Sequence, residues 1–395
     1  MPGSQLKRIA KAGAWDLAWL LFGAYGLGRR GLGRRKIPAL GDVRSVLAIR
    51  LDLMGDLIFT LPALEALREA APQARLSVLV LPYTADLLRG HPAVDRVIPV
   101  DVNRWRRAGE WGVGRAPRQA MGALAELRRE RYDLCVSFYG RVGAAAALLS
   151  GADYLVGYRE EGFPATFDLP VPGRRYLQRR HEAEYCLELV RALGAQTSGK
   201  PPRLRVDPAA AECVETLLSG AGISSGERLV ALHPGALNMA AKRWFPDRWA
   251  AVADRVQREL GTRVALVGSA SELPLVEQLR SRMATPPVVL VGRTSVPELV
   301  ALLARCDLFL GCDSGPLHVA SALGVPSVSV YGPTDPAITG PLGPNGRVLR
   351  AQVECSPCYD PMNPSACRRP DHLCMAGVSV DQVFEAIRET VVSCE

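Results

Sequence analysis

The sequence predicts an α/β protein made of two Rossmann-like domains in tandem, each a parallel sheet covered by helices. Three observations point to this class. Apolar runs of strand length alternate with helical stretches from Ser45 to Gly332, the pattern of repeated βαβ units. In the second half these runs end in Gly or in a Gly-bearing turn, as expected where backbone meets a ligand at the carboxyl ends of neighbouring strands. The series is interrupted once, at Ser198-Gly199-Lys200-Pro201-Pro202, which reads as the connection between two domains. The expected division is a 1–40 segment, a 41–198 domain and a 199–395 domain.

The chain has 395 residues and a formal net charge of +8, but the charge is concentrated. Residues 1–40 hold Lys7, Arg8, Lys11, Arg29, Arg30, Arg34, Arg35 and Lys36 against Asp16 alone, so the rest of the chain is nearly neutral. A nucleic-acid surface needs basic charge spread over a folded face, and none is indicated here. Among the basic residues lie Trp15, Trp19, Leu20, Leu21, Phe22 and Tyr25. The apolar run is shorter than the roughly 20 residues of a membrane-spanning helix and lacks a clear cleavage site. It fits instead a segment lying at the surface of an anionic membrane.

In the first domain, Val46 to Leu51 reads as a buried strand, Gly55-Asp56 as a turn, and Leu57 to Leu67 as an amphipathic helix. Further strands are expected at Leu76–Leu81, Val97–Val100 and Tyr132–Phe138, with helices at Met121–Arg129 and Glu184–Leu193. In the second domain, strands are expected at Arg228–His233, Val264–Val267, Val288–Val291, Leu308–Leu310 and Ser327–Tyr331. The strand ending at Leu310 runs into Gly311-Cys312-Asp313-Ser314-Gly315-Pro316-Leu317-His318 and then an Ala-rich helical stretch. Backbone N–H groups and a helix N-terminus directed at one point suit an anion. Neither of the two best-known nucleotide signatures is present.

Four pieces, in order, carry a family resemblance: Ile49-Arg50-Leu51-Asp52-Leu53-Met54-Gly55-Asp56 with Thr60-Leu61-Pro62-Ala63-Leu64; His233-Pro234-Gly235-Ala236 with Lys242-Arg243-Trp244; Gly268 with Glu272; and Asp313 to His318. Together they resemble the heptosyltransferase family, glycosyltransferase family 9. The resemblance implies the GT-B architecture, two Rossmann-like domains facing each other across a cleft. It also implies inverting transfer of a sugar from a nucleotide donor, ADP-heptose in the family, to a lipid-linked glycan in lipopolysaccharide or cell-surface polysaccharide synthesis. The expected location is the inner face of the cytoplasmic membrane, as a peripheral protein.

Transfer needs an activated acceptor hydroxyl and neutralisation of the departing diphosphate. Asp56 is the candidate base, with an N-cap role for the following helix as its structural alternative. Lys242 is the candidate for stabilising the leaving group, and the resemblance implies phosphate contact for it. Gly235 and Ala236 are expected to offer backbone N–H groups. Glu272 is expected at the ribose hydroxyls, Asp313 at the sugar and phosphate, Ser314 and Gly315 as donors, and His318 beside the donor. Trp244 and Trp249 read as packing residues. No convincing metal spacing accompanies these motifs, so catalysis is expected to need no metal cofactor.

Arg104, Arg106 and Arg141 are candidates for an anionic acceptor, since guanidinium groups bind carboxylate and phosphate in a bidentate manner. Cys355, Cys358, Cys367 and Cys374 cluster in a Pro-rich loop and form a candidate set for a structural zinc, with reduced thiols, disulfides or an iron–sulfur cluster as alternatives. Two rival functions fit the same residues: a nucleotide-sugar epimerase of this architecture, and a non-catalytic sugar-nucleotide-binding protein.

Overall fold

The computed structural model describes residues 20–29, 36–102, 122, 125–163, 165–173, 179–199, 201–236, 239–359, 367, 369 and 371–392. The strands are β1 (Ser45–Arg50), β2 (Arg75–Val80), β3 (Arg96–Pro99), β4 (Leu134–Ser137), β5 (Tyr154–Tyr158) and β6 (Leu169–Val171) in the first half. The second half holds β7 (Leu229–His233), β8 (Arg263–Leu266), β9 (Val288–Val289), β10 (Leu308–Cys312), β11 (Ser327–Val330) and β12 (Gly346–Leu349). The helices that matter below are α1 (Met54–Ala70), α2 (Gly140–Ser150), α3 (Glu182–Arg191), α4 (Pro208–Gly220), α5 (Pro246–Glu259), α6 (Leu273–Arg280), α7 (Val296–Arg305), α8 (Gly315–Ala322) and α9 (Val380–Val392).

The two six-stranded sheets have the orders β3-β2-β1-β4-β5-β6 and β12-β11-β10-β7-β8-β9. Counted within each domain, both are the doubly wound order 3-2-1-4-5-6, and every pairing is parallel. Strand order reverses between β1 and β4 in one sheet and between β7 and β10 in the other. In open α/β sheets these switch points, beyond the strand ends, are where ligands bind.

The central strands are buried along their length, β10 and β7 without exception, because helices cover both faces; this is why they read as unbroken apolar runs. Helix α1 begins at Met54, three residues before the expected start, and contains Pro62. Ten of its seventeen residues are buried, since it packs on α3 within its own domain and on α8 across the domain boundary. β5, β6 and β12 were not expected from the sequence. They are short or interrupted by Gly and Pro, at Gly157, Pro170 and Gly346.

One apolar core runs continuously through the contact between the domains, including Leu57, Ile58 and Leu61 of α1 and Leu317 and Ala320 of α8. The Phe59 ring stands edge-on to His318 at 4.6 Å and to His181 at 5.0 Å. Polar ties flank it: Arg179 donates to Asp335 at 2.5 Å, and His181 Nε2 lies 3.0 Å from the Gly340 carbonyl.

The approach of α1 to α8 needs glycine on both sides. A Cβ on Gly55 would stand 2.5 Å from His318 Cδ2, and one on Gly315 would stand 3.2 Å from Met54. Gly55→Ala should therefore force His318 aside and destabilise the protein by about 1–3 kcal/mol, as overpacking does, read as a fall in the urea midpoint at unchanged slope.

Candidate active site

The donor-side cluster forms at the β7/β10 switch point. Strand β10 delivers Cys312 and Asp313, and Ser314 is the N-cap of α8 with extended backbone. Strand β7 ends at His233 and is followed by Gly235. Lys242, at the end of a short 3-10 turn (Ala240–Lys242), is brought back over the strand ends. Its Nζ lies 2.7 Å from Asp313 Oδ2, with both side chains almost fully buried. Asp313 Oδ1 is 3.3 Å from His318 Nε2. Burial alone would raise the Asp313 carboxyl, but the Lys242 ammonium and His318 outweigh it and hold Asp313 far below the usual carboxylate range. The pair is thus ionised before any ligand enters.

A second chain of contacts lines the same crevice. His233 Nδ1 is 3.1 Å from Ser314 Oγ and its Nε2 is 3.2 Å from Glu272 Oε1. Glu272 also accepts from Ser269 N–H at 2.8 Å and Ser269 O–H at 2.9 Å, closing the short turn that leads into α6. Burial opposes its charge, yet the His233 contact and the Ser269 donors lower it to about 2. Glu272 is therefore a buried helix-start carboxylate at the mouth of the crevice. Gly235 lies against it, where a Cβ would come 1.7 Å from Glu272 Oε1; only glycine fits. Ala236 is buried.

Asp56 occupies the third position of α1, and the N-cap is Leu53. The expected alternative of an Asp56 N-cap is therefore corrected in detail: its Oδ2 accepts from the Leu53 N–H at 3.3 Å, reaching back from inside the first turn. Leu53 has no side-chain acceptor to complete a capping box. Asp56 remains about a quarter exposed, while the neighbouring Arg50 is buried to 1%. Asp56 follows Gly55, which touches His318, so the donor-domain helix and the acceptor-domain carboxylate meet at one seam.

Most of the expected site residues converge. Asp313, Ser314, Gly315, His318, Lys242, Gly235, Ala236 and Glu272 share the donor crevice, and Asp56 faces its edge. Two assignments are refined. Gly315 turns toward Met54 across the seam, and the Ser314 hydroxyl engages His233 while making no cap to its own helix. Trp244 and Trp249 stack edge-on at 4.8 Å in the core, as expected. Arg141 is exposed at the start of α2 by the β1/β4 switch point; Arg104 and Arg106 lie outside the described residues.

Cys358 N–H donates to the Pro333 carbonyl, and Cys374 lies against Gly332, so two of the four clustered cysteines reach the same turn. Burial, then the charges of Cys358, Cys367 and Cys355, push the Cys374 thiol up to about 11. Among the described residues, no group of three or more His, Cys, Asp or Glu side chains is arranged to hold a metal ion.

Three contributors went unassigned by motif. His233 opens the His-Pro-Gly piece, and its bridging role needs β10 beside β7. Tyr359 comes from the cysteine loop, and its ring lies 5.2 Å from the Lys242 ammonium. Arg50 ends β1 and ties Asp56 to Glu182, 132 residues apart in sequence from Arg50.

Comparison with known proteins agrees with this geometry. The model of glycosyltransferase family 9 (heptosyltransferase) matches residues 122–367. Lipopolysaccharide heptosyltransferase 1 of Escherichia coli K12 is 30% identical over 314 residues, covering 78% of this chain and 94% of the relative. This chain belongs to glycosyltransferase family 9. It is a glycosyltransferase, and the epimerase and non-catalytic readings are left without support. Among solved structures, a family 9 glycosyltransferase from Veillonella parvula aligns with TM-score 0.76 at 24% identity, over 89% of this chain and 98% of that one. The E. coli ADP-heptose lipopolysaccharide heptosyltransferase II aligns with TM-score 0.70 at 23% identity, over 88% and 99%. The GT-B fold is shared with both.

Removing one partner of the buried ion pair should be costly. Lys242→Ala strands the Asp313 carboxylate and should destabilise by about 3–5 kcal/mol at pH 7. Because the Asp313 carboxyl is depressed, its contribution is present above the ordinary carboxylate range and is lost only as pH falls through its lowered folded value. Urea denaturation of wild type and Lys242→Ala should therefore differ most near neutrality and converge in strong acid. A constant gap would contradict the pairing.

Proposed function

We propose that this glycosyltransferase moves a heptose from ADP-heptose to a lipid-linked core saccharide of lipopolysaccharide, with inversion at the anomeric carbon. The observation that carries the reading is the divided site: an ionised Lys242–Asp313 pair at the N-terminus of α8, with Asp56 of the other domain at the same seam. The donor and acceptor follow the relatives' names, a lipopolysaccharide heptosyltransferase and an ADP-heptose heptosyltransferase.

In this mechanism the acceptor hydroxyl attacks the anomeric carbon and passes its proton to Asp56 as the new C–O bond forms. The bond from the anomeric carbon to the diphosphate oxygen breaks, and the negative charge gained by ADP is met by the Lys242 ammonium and the α8 N-terminus. Glu272, ionised and buried at the mouth of the crevice against His233 and Ser269, accepts from the ribose hydroxyls. His318 holds Asp313 from the far side, and no step requires a metal. The acceptor's anionic groups fall to Arg141, Arg104 and Arg106.

Asp56→Ala should lower kcat by roughly 10²–10⁴-fold while leaving ADP-heptose binding within a factor of two or so by calorimetry. Undiminished transfer would remove Asp56 as base. A screen of ADP-, GDP- and UDP-sugars with an acceptor lipid extract tests the whole reading, and turnover of none of them would sink it.

The reading includes peripheral contact with an anionic membrane on its cytoplasmic side. No helix of the described residues is long and apolar enough to cross a membrane. The helical segment 20–29 docks on the first domain through Phe22, 4.9 Å from the Phe163 ring, and through Arg29, paired with Asp168 at 2.8 Å. It leaves Leu20, Leu21 and Leu27 more than 60% exposed, and the 1–40 segment is strongly basic. Leu20→Glu with Leu21→Glu should abolish sedimentation with phosphatidylglycerol vesicles without altering transfer to a detergent-soluble acceptor. Unchanged sedimentation would remove this segment as the contact.

The four clustered cysteines are proposed as a structural zinc set separate from the chemistry: the Cys358 backbone and the Cys374 sulfur reach the same Gly332–Pro333 turn, while among the described residues no three of the side chains are yet arranged around an ion. Elemental analysis of protein purified without chelator should give about one zinc per chain, and Cys358→Ser should lose it. Metal-free protein of full stability would overturn the site.

A further inference from the structure

Among the described residues of 41–198, the exposed large hydrophobic residues are Leu53 and Tyr83, each 42% exposed. Singly, exposed apolar residues are ordinary. These two stand together. β1 and β2 pair in parallel up to Arg50 and Val80, and Leu53 and Tyr83 each follow three residues beyond that last pair. One peptide unit then ties them to the candidate base. The Asp52 carbonyl accepts from the Tyr83 hydroxyl at 3.2 Å, and the next N–H, that of Leu53, donates to Asp56 Oδ2 at 3.3 Å.

The fold explains neither exposed side chain. Leu53 is the N-cap of α1, a position that strongly prefers Ser, Thr, Asp or Asn because their oxygens accept from the first turn. Its exposure also denies it the burial that stabilises an apolar side chain. A local rule broken with no gain in stability is expected at a functional site. Tyr83 lies in the short helix Pro82–Ala85. Burial, followed by the charges of Asp52 and Asp56, pushes its hydroxyl well up, so it stays a neutral donor. With that proton committed to the Asp52 carbonyl, Tyr83 offers a ligand chiefly ring surface, held in place.

The occupant follows from the neighbouring carboxylate. An acceptor hydroxyl must reach Asp56, which is about a quarter exposed, and the sugar that bears it is thereby set against the residues around Asp56. A sugar ring carries hydroxyls on its rim and C–H groups on its faces. It can direct the rim to polar groups and lay a face on an apolar surface, the usual division of labour in a ligand site. An acyl chain would match the apolar surface but bring no hydroxyl to Asp56, and it would set hydrocarbon beside a carboxylate that needs polar partners.

We propose that Leu53 and Tyr83 form an apolar subsite that receives a C–H face of the acceptor sugar bearing the attacking hydroxyl, and so select which hydroxyl meets Asp56. The proposal rests on transfer to a saccharide acceptor with Asp56 as base. Tyr83→Ala should raise the acceptor KM roughly ten-fold with the donor KM unchanged, and Tyr83→Phe, which keeps the ring, should recover most of the loss. Leu53→Ser should also raise the acceptor KM, yet leave the urea midpoint unchanged or higher, because serine is the better cap. A role in stability alone would lower the midpoint instead.

The measurement is initial-rate kinetics of the full chain with ADP-heptose and lipopolysaccharide core saccharide stripped of its acyl chains, in parallel with the acylated acceptor. Folded fraction is determined by circular dichroism, and should Tyr83→Ala fail to fold, Leu53→Ser carries the test. An unchanged acceptor KM in the folded variants overturns the subsite. So does a wild type that requires the acyl chains, or a KM rise confined to the acylated acceptor, since either would put an acyl chain on these residues. Failure of the wild type to transfer from any nucleotide sugar to either acceptor would instead remove the proposed function, so the two failures are distinguishable.

Discussion

The site depends on the seam where the first turn of α1 packs on α8. Gly55 and Gly315 let two helix N-termini approach until His318 lies against the backbone of the opposite domain. Because the apolar core continues through that contact, the relative position of the domains is set by packing, which is dense and resists gradual deformation. The carboxylate of one domain and the cation of the other are therefore held in register by the same contact that joins the domains. A change at the seam is a change at the active site, although Gly55 and Phe59 carry no chemistry.

Each side of the seam handles buried charge differently. On the donor side a single cation and a single anion, Lys242 and Asp313, neutralise each other and wait for the extra negative charge of a diphosphate. On the acceptor side the buried Arg50 guanidinium is contacted by Asp52, Asp56 and Glu182. Under the proposed transfer, donor and acceptor each meet a buried charge cluster on its own side of the seam. Low dielectric strengthens both, and this is a physical reason for dividing the site between two domains.

The donor crevice also draws on parts distant in sequence that carry no nucleotide signature. Tyr359 reaches Lys242 from the cysteine loop, and that loop is pinned by bonds from Cys358 and Tyr359 to the Pro333 carbonyl. Met375, next to Cys374, accepts from the buried Trp244 indole. The loop is therefore tied to the same layer that positions Lys242, and a shift of the loop would be felt at the ammonium.

Much of this was legible in the sequence, for a physical reason. Buried parallel strands need continuous apolar runs, and backbone approach to a phosphate needs glycine, so the central strands and the Asp313–His318 loop announce themselves locally. The motif residues Asp56, Lys242, Glu272 and Asp313 were likewise readable one by one. The edge strands β6 and β12 were not, because half-exposed strands with Gly and Pro lack the apolar signature, and the buried β5 was not because it is only five residues long and carries Gly157. Nor were the partnerships: Lys242 with Asp313, His233 with Glu272, and Arg50 with Glu182 join residues 39 to 132 positions apart. Local pattern determines which residue types end each strand. Only the doubly wound order, which sets β1 beside β4 and β7 beside β10, decides which of those ends share a crevice and therefore which charges meet.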